Sequence, residues 1–248
     1  MRDEPHWEKL GNVLERMSDA NRSARLWLRD DDAIQPTPAL ERLLDMTRHA
    51  SVPLSLAVIP AFTGQPLADR LEGETHAAVT VHGWSHENHA GSGGKKCELG
   101  LDRPADVVLG ELGDGLAKLR ALYAARLDPV LVPPWNRIDK TLLPELKPLG
   151  FRAASVYGKA DIASPIELIN THVDIMDWSA GRCRPHADLV DLLVAELARR
   201  MDGSDEPIGI LTHHLVHDEA CWDFMEKLFE VTATSDAARW HPLGELLD

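Results

Sequence analysis

Three stretches of the chain concentrate side chains that bind metals or move protons. They are Leu26-Trp27-Leu28-Arg29-Asp30-Asp31-Asp32, Val81-His82-Gly83-Trp84-Ser85-His86-Glu87-Asn88-His89 and Ile210-Leu211-Thr212-His213-His214-Leu215-Val216-His217-Asp218. Adjacent carboxylates repel one another, and a divalent cation offsets that repulsion by accepting their oxygens. A solvated turn that caps the next helix is the other account of the acidic run. His82 and His86, four apart, reach one metal from a helical turn or from a strand end and the turn after it. His89 is read as a solvated loop histidine, a third ligand being the alternative, and His213 and His214 close an apolar run, with Asp218 suited to cap the helix that follows. Six of the 12 histidines lie in the second and third stretches, a concentration that scattered surface residues rarely produce.

Two further stretches hold aromatic and acidic residues. In Val132-Pro133-Pro134-Trp135-Asn136-Arg137 the proline pair fixes the backbone and presents Trp135 on a rigid turn. Tryptophan faces at a pocket rim suit sugar rings, core packing being the alternative. In Asp174-Ile175-Met176-Asp177-Trp178 the carboxyl of Asp177 either orients a histidine or caps a turn.

These residues need elements to position them, and the apolar pattern supplies alternating ones. Helical spacing of Trp7, Leu10, Leu14 and Met17 predicts a helix over 6–20. Further helices are expected over 38–49, 66–72, 104–125, 139–149, 186–200 and 218–231. Short apolar runs predict seven strands at 26–29, 54–59, 77–81, 130–132, 151–156, 173–176 and 208–212. Such alternation implies parallel strands in an α/β layer or barrel, and nearly every polar cluster falls just past a strand's last apolar residue. That carboxyl edge is where parallel α/β folds bind ligands.

Composition narrows the function classes. The 248 residues are 44% hydrophobic and 27% charged, which is ordinary for a globular chain and argues for one domain over 1–248. With 40 acidic against 26 basic residues the net charge is −14, which disfavours general nucleic-acid binding and attraction to anionic membranes. No run approaches 18 apolar residues, and MRDEPHWEKLGN lacks the apolar centre of a secretory signal. Cys97, Cys183 and Cys221 show no paired spacing, so free thiols and a cytoplasmic location are expected.

Taken together and in this order, the motifs resemble the polysaccharide deacetylase family, the NodB-homology or carbohydrate esterase 4 group. Its first motif, T-F-D-D-G-P followed by T-P, corresponds to residues 28–33 and Thr37-Pro38, and the spacing to Thr37 aligns the second family aspartate with Asp31. H-[S/T]-x-x-H matches His82 to His86, R-x-P-Y loosely matches Val132 to Trp135, the D-W motif matches Asp177-Trp178, and L-x-H matches Leu211-Thr212-His213. Five motifs run through residues 26–218. The resemblance implies a distorted (β/α)7 barrel and a metal-dependent hydrolase that removes an acyl group from an amide nitrogen of a carbohydrate-type substrate.

It also implies site roles. Asp31, His82 and His86 would hold one divalent metal, Zn²⁺ first, with Co²⁺, Ni²⁺ or Mn²⁺ as alternatives. Asp30 would be the general base, and His213, oriented by Asp177, the acid. Trp135, Asn136, Trp178 and His214 would contact substrate, with the Trp135 N–H facing the oxyanion. The chain departs from the pattern twice: Val132 replaces the arginine that pairs with the base, leaving Arg29 or Arg137 to supply that charge, and Asp32 replaces a glycine. These departures, with no signal sequence, point away from extracellular polymers. They keep two alternatives open: hydrolysis of another small cytosolic amide, and a metal- or sugar-binding module without catalysis. The expected partner is a small molecule or oligosaccharide bearing an N-acyl group.

Overall fold

The computed structural model of the protein describes residues 5–247. Helix α1 (Pro5–Asp19) opens the chain and buries Trp7, Leu10, Leu14 and Met17, the face its periodicity marks. Strand β1 (Ala24–Ala33) follows, then α2 (Pro38–His49), β2 (Leu54–Val58), α3 (Gln65–Leu71), β3 (Ala77–His82) and α4 (Ala105–Tyr123). The second half holds β4 (Leu127–Val132), α5 (Leu143–Leu149), β5 (Ala153–Ala154), β6 (Glu167–Leu168) and β7 (Thr171–Asp174). A short hairpin of β8 (Met176–Asp177) and β9 (Arg182–Cys183) precedes α6 (His186–Met201), β10 (Ile208–Thr212), α7 (Glu219–Ala233) and β11 (Ala238–Trp240). Helix starts obey local chemistry: Thr37 accepts from Leu40 N with Pro38 in the first turn, and Asp218 accepts from Cys221 N ahead of α7. No helix among the described residues is long and apolar enough to cross a membrane.

The main sheet runs β6-β5-β4-β3-β2-β1-β10-β7, with β11 on the side of β1. Every pairing in it is parallel. Its two end strands are consecutive in the chain, and Thr171 bridges to Tyr157 beyond β5, so the sheet curls towards a distorted barrel. With β6 and β7 taken as one interrupted strand, the ring has the seven strands that the apolar runs predict. The expected fifth strand is much shorter, and the sixth starts earlier, at Thr171, and ends at Asp174. β11 and the β8–β9 hairpin were not anticipated, being too short to show a period.

Two apolar layers hold the sheet. One lies between strands and helices and contains Leu26, Leu28, Leu54, Leu56 and the buried faces of α1, α2, α4, α6 and α7. The other fills the interior of the curl, where Trp27 packs with Val130, Ala153, Ile169, Leu243, Leu246 and Leu247. Successive residues of a strand face opposite sides. Leu26, Leu28 and Asp30 therefore face the helices, and Trp27, Arg29 and Asp31 face the interior.

Candidate metal centre and its surroundings

The acidic run is sorted by the β1 backbone. Between Asp30 and Ala33, β1 advances three residues while β2 advances two, from Leu56 to Val58, which is a β-bulge. Asp32 sits in that bulge with φ 72°, a left-handed conformation that aspartate tolerates better than most side chains. The bulge breaks the alternation, and the carboxylate of Asp32 joins that of Asp31 on the interior side.

Asp32, rather than Asp31, then meets the two histidines. Its Oδ1 lies 3.1 Å from His82 Nε2 and 3.3 Å from His86 Nε2, and the ligating atoms of the three residues lie within 4.8 Å of one another. This corrects the expected ligand set by one residue. His82 ends β3, and its Nδ1–H donates to the Val132 carbonyl at 2.9 Å. A carbonyl only accepts, so Nε2 is left to face Asp32. Burial opposes ionisation of Asp32, but the hydrogen bond and charge of His82, with the charges of His213 and His86, hold its pKa well below the usual carboxylate range. Burial also favours neutral His82, yet Asp31 and Asp32 outweigh it and raise that pKa. His86 is pushed down by burial and by the charge of His82.

The loop carrying His86 is held by a residue that the sequence did not mark. Glu98 is fully buried and accepts from Trp84 N at 3.2 Å, Ser85 N at 2.6 Å, Ser85 Oγ at 3.1 Å and His86 N at 3.1 Å. Consecutive N–H groups around a carboxylate form an anion nest. Gly83 makes the nest possible: at φ +57°, a Cβ there would lie 2.0 Å from Glu98 Oε2 and 2.7 Å from Pro134. Glu98 is a lone acid 12 residues past His86, and no spacing rule finds it.

Asp31 is instead bound to Arg29 of its own strand, the i, i+2 neighbour on the same face. Arg29 Nη2 donates to Asp31 Oδ2 at 3.0 Å and to Asn136 Oδ1 at 2.7 Å. Its Nη1 donates to Ser155 Oγ at 2.8 Å and Ser155 O at 3.1 Å. Nε lies 2.9 Å from Asp31 Oδ1 but out of line for a hydrogen bond, so that buried oxygen has no donor among the described residues. Of the two arginines expected to supply the charge that Val132 lacks, Arg29 pairs with Asp31, while Arg137 donates to the Lys96 carbonyl. Ser155 was not foreseen, and Asn136, expected to contact substrate, anchors the arginine while also lining the cavity.

Asp30 lies on the helix side of β1 and is fully buried. It accepts from Thr212 Oγ1 at 2.7 Å and His214 N at 2.9 Å, and its other oxygen meets His214 Nδ1. Burial works against its charge, but the His214 imidazole lowers its pKa, and Asp30 in turn raises that of His214 against burial. Asp30 and His214 therefore brace β1 to the end of β10 and do not line the cavity. The strand period puts Asp30, the expected base, on the helix side of β1, away from the cavity.

His213 does face the cavity, with Nε2 3.9 Å from Asp31 Oδ2 and a buried Nδ1 without a partner among the described residues. Asp177 does not orient it. Asp177 Oδ1 caps the hairpin turn, accepting from Ser179 N at 3.0 Å and Ser179 Oγ at 2.6 Å. The residue that reaches this side is Asp174, at the end of β7, whose Oδ2 accepts from Trp178 Nε1 at 2.9 Å. Trp178 then sets its ring edge-on to His213 at 4.6 Å. Trp135, at φ 56° on the Pro133-Pro134 turn, packs 4.4 Å from the His86 ring. His89 is not among the clustered ligands. All three cysteines are free thiols; Cys183, Cys221 and Asp218 form a second close group at the start of α7.

Asp31, Asp32, His82, His86, Trp135, Trp178 and His213 line one open cavity of about 610 Å³. A larger cavity of about 840 Å³ adjoins it and shares Asn136 and Arg137. The Asp32–His82–His86 group, which could hold a metal ion, lies in the smaller one.

No family model matches the chain, and no curated protein sequence does. Solved structures do. A polysaccharide deacetylase from Mycobacterium smegmatis aligns over 91% of this chain and 89% of its own, with TM-score 0.64 and 15% identity. The peptidoglycan deacetylase PdaC from Bacillus subtilis aligns over 90% of each chain, with TM-score 0.56 and 16% identity. A family 4 acetyl xylan esterase from Clostridium thermocellum, solved with a cobalt ion, aligns over 90% of this chain and 89% of its own, with TM-score 0.54 and 15% identity. At these identities the likeness is one of architecture, and the chain has the α/β fold, with a curled parallel sheet, of the NodB-like polysaccharide deacetylases.

Proposed function

We propose that the chain is a metal-dependent hydrolase that removes an acyl group from the amide nitrogen of a carbohydrate-type substrate. The observation that carries this reading is the Asp32–His82–His86 group facing the same cavity as Asp31 and His213. One carboxylate oxygen and two imidazole nitrogens suit Zn²⁺, with Co²⁺, Ni²⁺ and Mn²⁺ as alternatives. The donor set fits such an ion, since the Val132 carbonyl fixes the His82 ring with Nε2 towards Asp32. A divalent cation held by these three residues supplies Lewis acidity, polarising a carbonyl and making water a stronger acid.

The chain's own groups do the rest. Asp31 takes the proton of the attacking water at Oδ1, the oxygen without a donor. Arg29 compensates the Asp31 charge and fixes its plane. The Trp135 backbone N–H, on a turn stiffened by two prolines, donates to the developing oxyanion. His213 delivers a proton from Nε2 to the leaving nitrogen. Trp178, tied to Asp174, holds the His213 ring and, with Trp135, walls the acyl group and sugar.

The test is acid release from N-acyl sugars and from cyclic and simple amides by Zn²⁺-loaded protein. N-acyl sugars should be preferred, and Asp31→Asn should lower the rate about 10²–10⁴-fold without loss of metal. Full activity in that variant, or preference for cyclic amides, contradicts the reading.

A further inference from the structure

The cavity beside the metal-binding group carries cations that the deacylation mechanism does not use. Lys96, Arg137 and Arg184 all line it. None is in an ion pair with a carboxylate among those found between described residues. The hydrogen bonds of the two guanidinium groups go to carbonyls: Arg137 Nη1 to Lys96 O at 2.8 Å and Arg184 Nε to Met176 O at 3.1 Å. Lys96 Nζ stands 5.7 Å from the Trp135 ring centroid, next to the turn that carries the oxyanion donor.

The carboxylates of the same cavity are already engaged. Asp31 is held by Arg29, Asp32 by His82 and His86, and Asp174 by Trp178 Nε1 and Met176 N. In the adjoining cavity Asp161 pairs with Lys140 at 3.7 Å, and Asp139 caps its own turn through Thr141. Asp102 there meets Gly91 N, while Lys95 and Lys159 add positive charge. Within a chain of net charge −14, Lys96, Arg137 and Arg184 thus line the cavity with no carboxylate in ion-pair contact among the described residues, although Asp177 feels the charge of Arg184. Arg137 stands where the two cavities meet. Guanidinium and ammonium groups recognise carboxylate or phosphate oxygens.

We propose that the substrate is an N-acyl compound bearing an anionic group, a carboxylate or a phosphate, bound by Lys96, Arg137 and Arg184 beside the metal centre. The proposal rests on the deacylase reading of this cavity and narrows its substrate class. The sugar ring then lies against Trp135 and Trp178, with the anion in the cavity that Lys96, Arg137 and Arg184 line.

Calorimetric titration of the full-length Zn²⁺-loaded protein with amine products tests it, using glucosamine, glucosamine 6-phosphate and muramic acid as probes. The anionic probes should bind at least about tenfold more tightly than glucosamine, as expected of a hydrogen bond to a charged group. Lys96→Gln and Arg184→Gln should each erase most of that preference, while Arg184→Lys keeps part of it, and salt should weaken it in the wild type. Whichever anionic probe binds more tightly identifies phosphate or carboxylate as the group. Equal affinity for all three overturns the proposal, as does a preference surviving undiminished in a combined Lys96→Gln, Arg137→Gln, Arg184→Gln variant, which would mean that the anion binds the metal itself. Metal content and hydrolysis are measured on the same samples. Protein that loads metal and hydrolyses neutral N-acyl sugars without an anion preference overturns the substrate class alone, whereas protein that takes up no metal overturns both readings.

Discussion

Replacing Arg29 by glutamine removes the guanidinium bound to Asp31. Arg29 is fully buried and Asp31 is 2% exposed, so solvent cannot take over the lost charge. Removing one partner of a buried ion pair costs about 3–5 kcal/mol, because the other charge is left uncompensated. The Arg29 Nη1 and Nη2 bonds to Ser155 and Asn136 go as well, which places the expected loss at the upper end of that range. For a chain of this size 1 kcal/mol corresponds to roughly 2–4 °C, so the melting temperature should fall by about 10–15 °C. Arg29→Lys should recover only part of this, since an ammonium cannot fork between three partners. Activity should fall further than stability explains, because Asp31 loses the guanidinium that fixes its plane. The assay pairs thermal or urea unfolding with acyl release at a temperature where the variant is folded. Stability within about 1 kcal/mol of wild type, together with an unchanged rate, would refute the argument.

Gly83→Ala should lower metal affinity far more than its single added methyl suggests. The backbone conformation alone costs about 1–2 kcal/mol, and the contacts with Glu98 and Pro134 force the His86 loop to move; an unaltered Kd for Zn²⁺ in titration argues against the nest. Burial and the charges of His214 and His213 push the pKa of His217 down from 6.5 to about 4. The folded state therefore favours the neutral ring. Its contribution is complete above the unfolded value and is lost as the pH falls from 6.5 towards about 4, an effect on the order of 3 kcal/mol. In His217→Gln the slope of unfolding free energy against pH should drop by up to one proton in that window, and an identical slope would contradict the assignment. Asp30→Asn should destabilise the fold by about 1–3 kcal/mol through the lost charge-assisted bonds to His214 and Thr212, while folded protein keeps its metal and most of its activity. A folded, metal-loaded but inactive Asp30→Asn protein would return the base role to Asp30.

The elements were legible because their periods were long enough to read. α2 spans Pro38–His49, the expected range, and α6 and α7 lie within two residues of expectation at each end. The location of the chemistry at strand ends was equally readable, since His82 closes β3 and His213 follows β10. What the sequence hid was the facing of adjacent residues. Motif spacing aligned Asp31 with the metal position, but the bulge inserts one residue and turns Asp32 inward. The alternation of Trp27, Arg29 and Asp31 against Leu26, Leu28 and Asp30 was available as a signal, and it also puts Arg29 on the face of Asp31. Asp177 follows the expected strand 173–176, but the strand ends at Asp174, so a two-residue error in its end moved the expected carboxylate. Glu98 had no such signal, because a loop carboxylate becomes special only when three N–H groups close around it.

The division of labour among the three aspartates is the centre of the account, and metal stoichiometry reads it directly. Wild type, Asp30→Asn, Asp31→Asn and Asp32→Asn proteins are dialysed against limiting Zn²⁺, and bound metal is measured per folded chain. The account predicts near-stoichiometric metal in the wild type and the first two variants, and loss in Asp32→Asn alone. Metal retained in Asp32→Asn but lost in Asp31→Asn would contradict it.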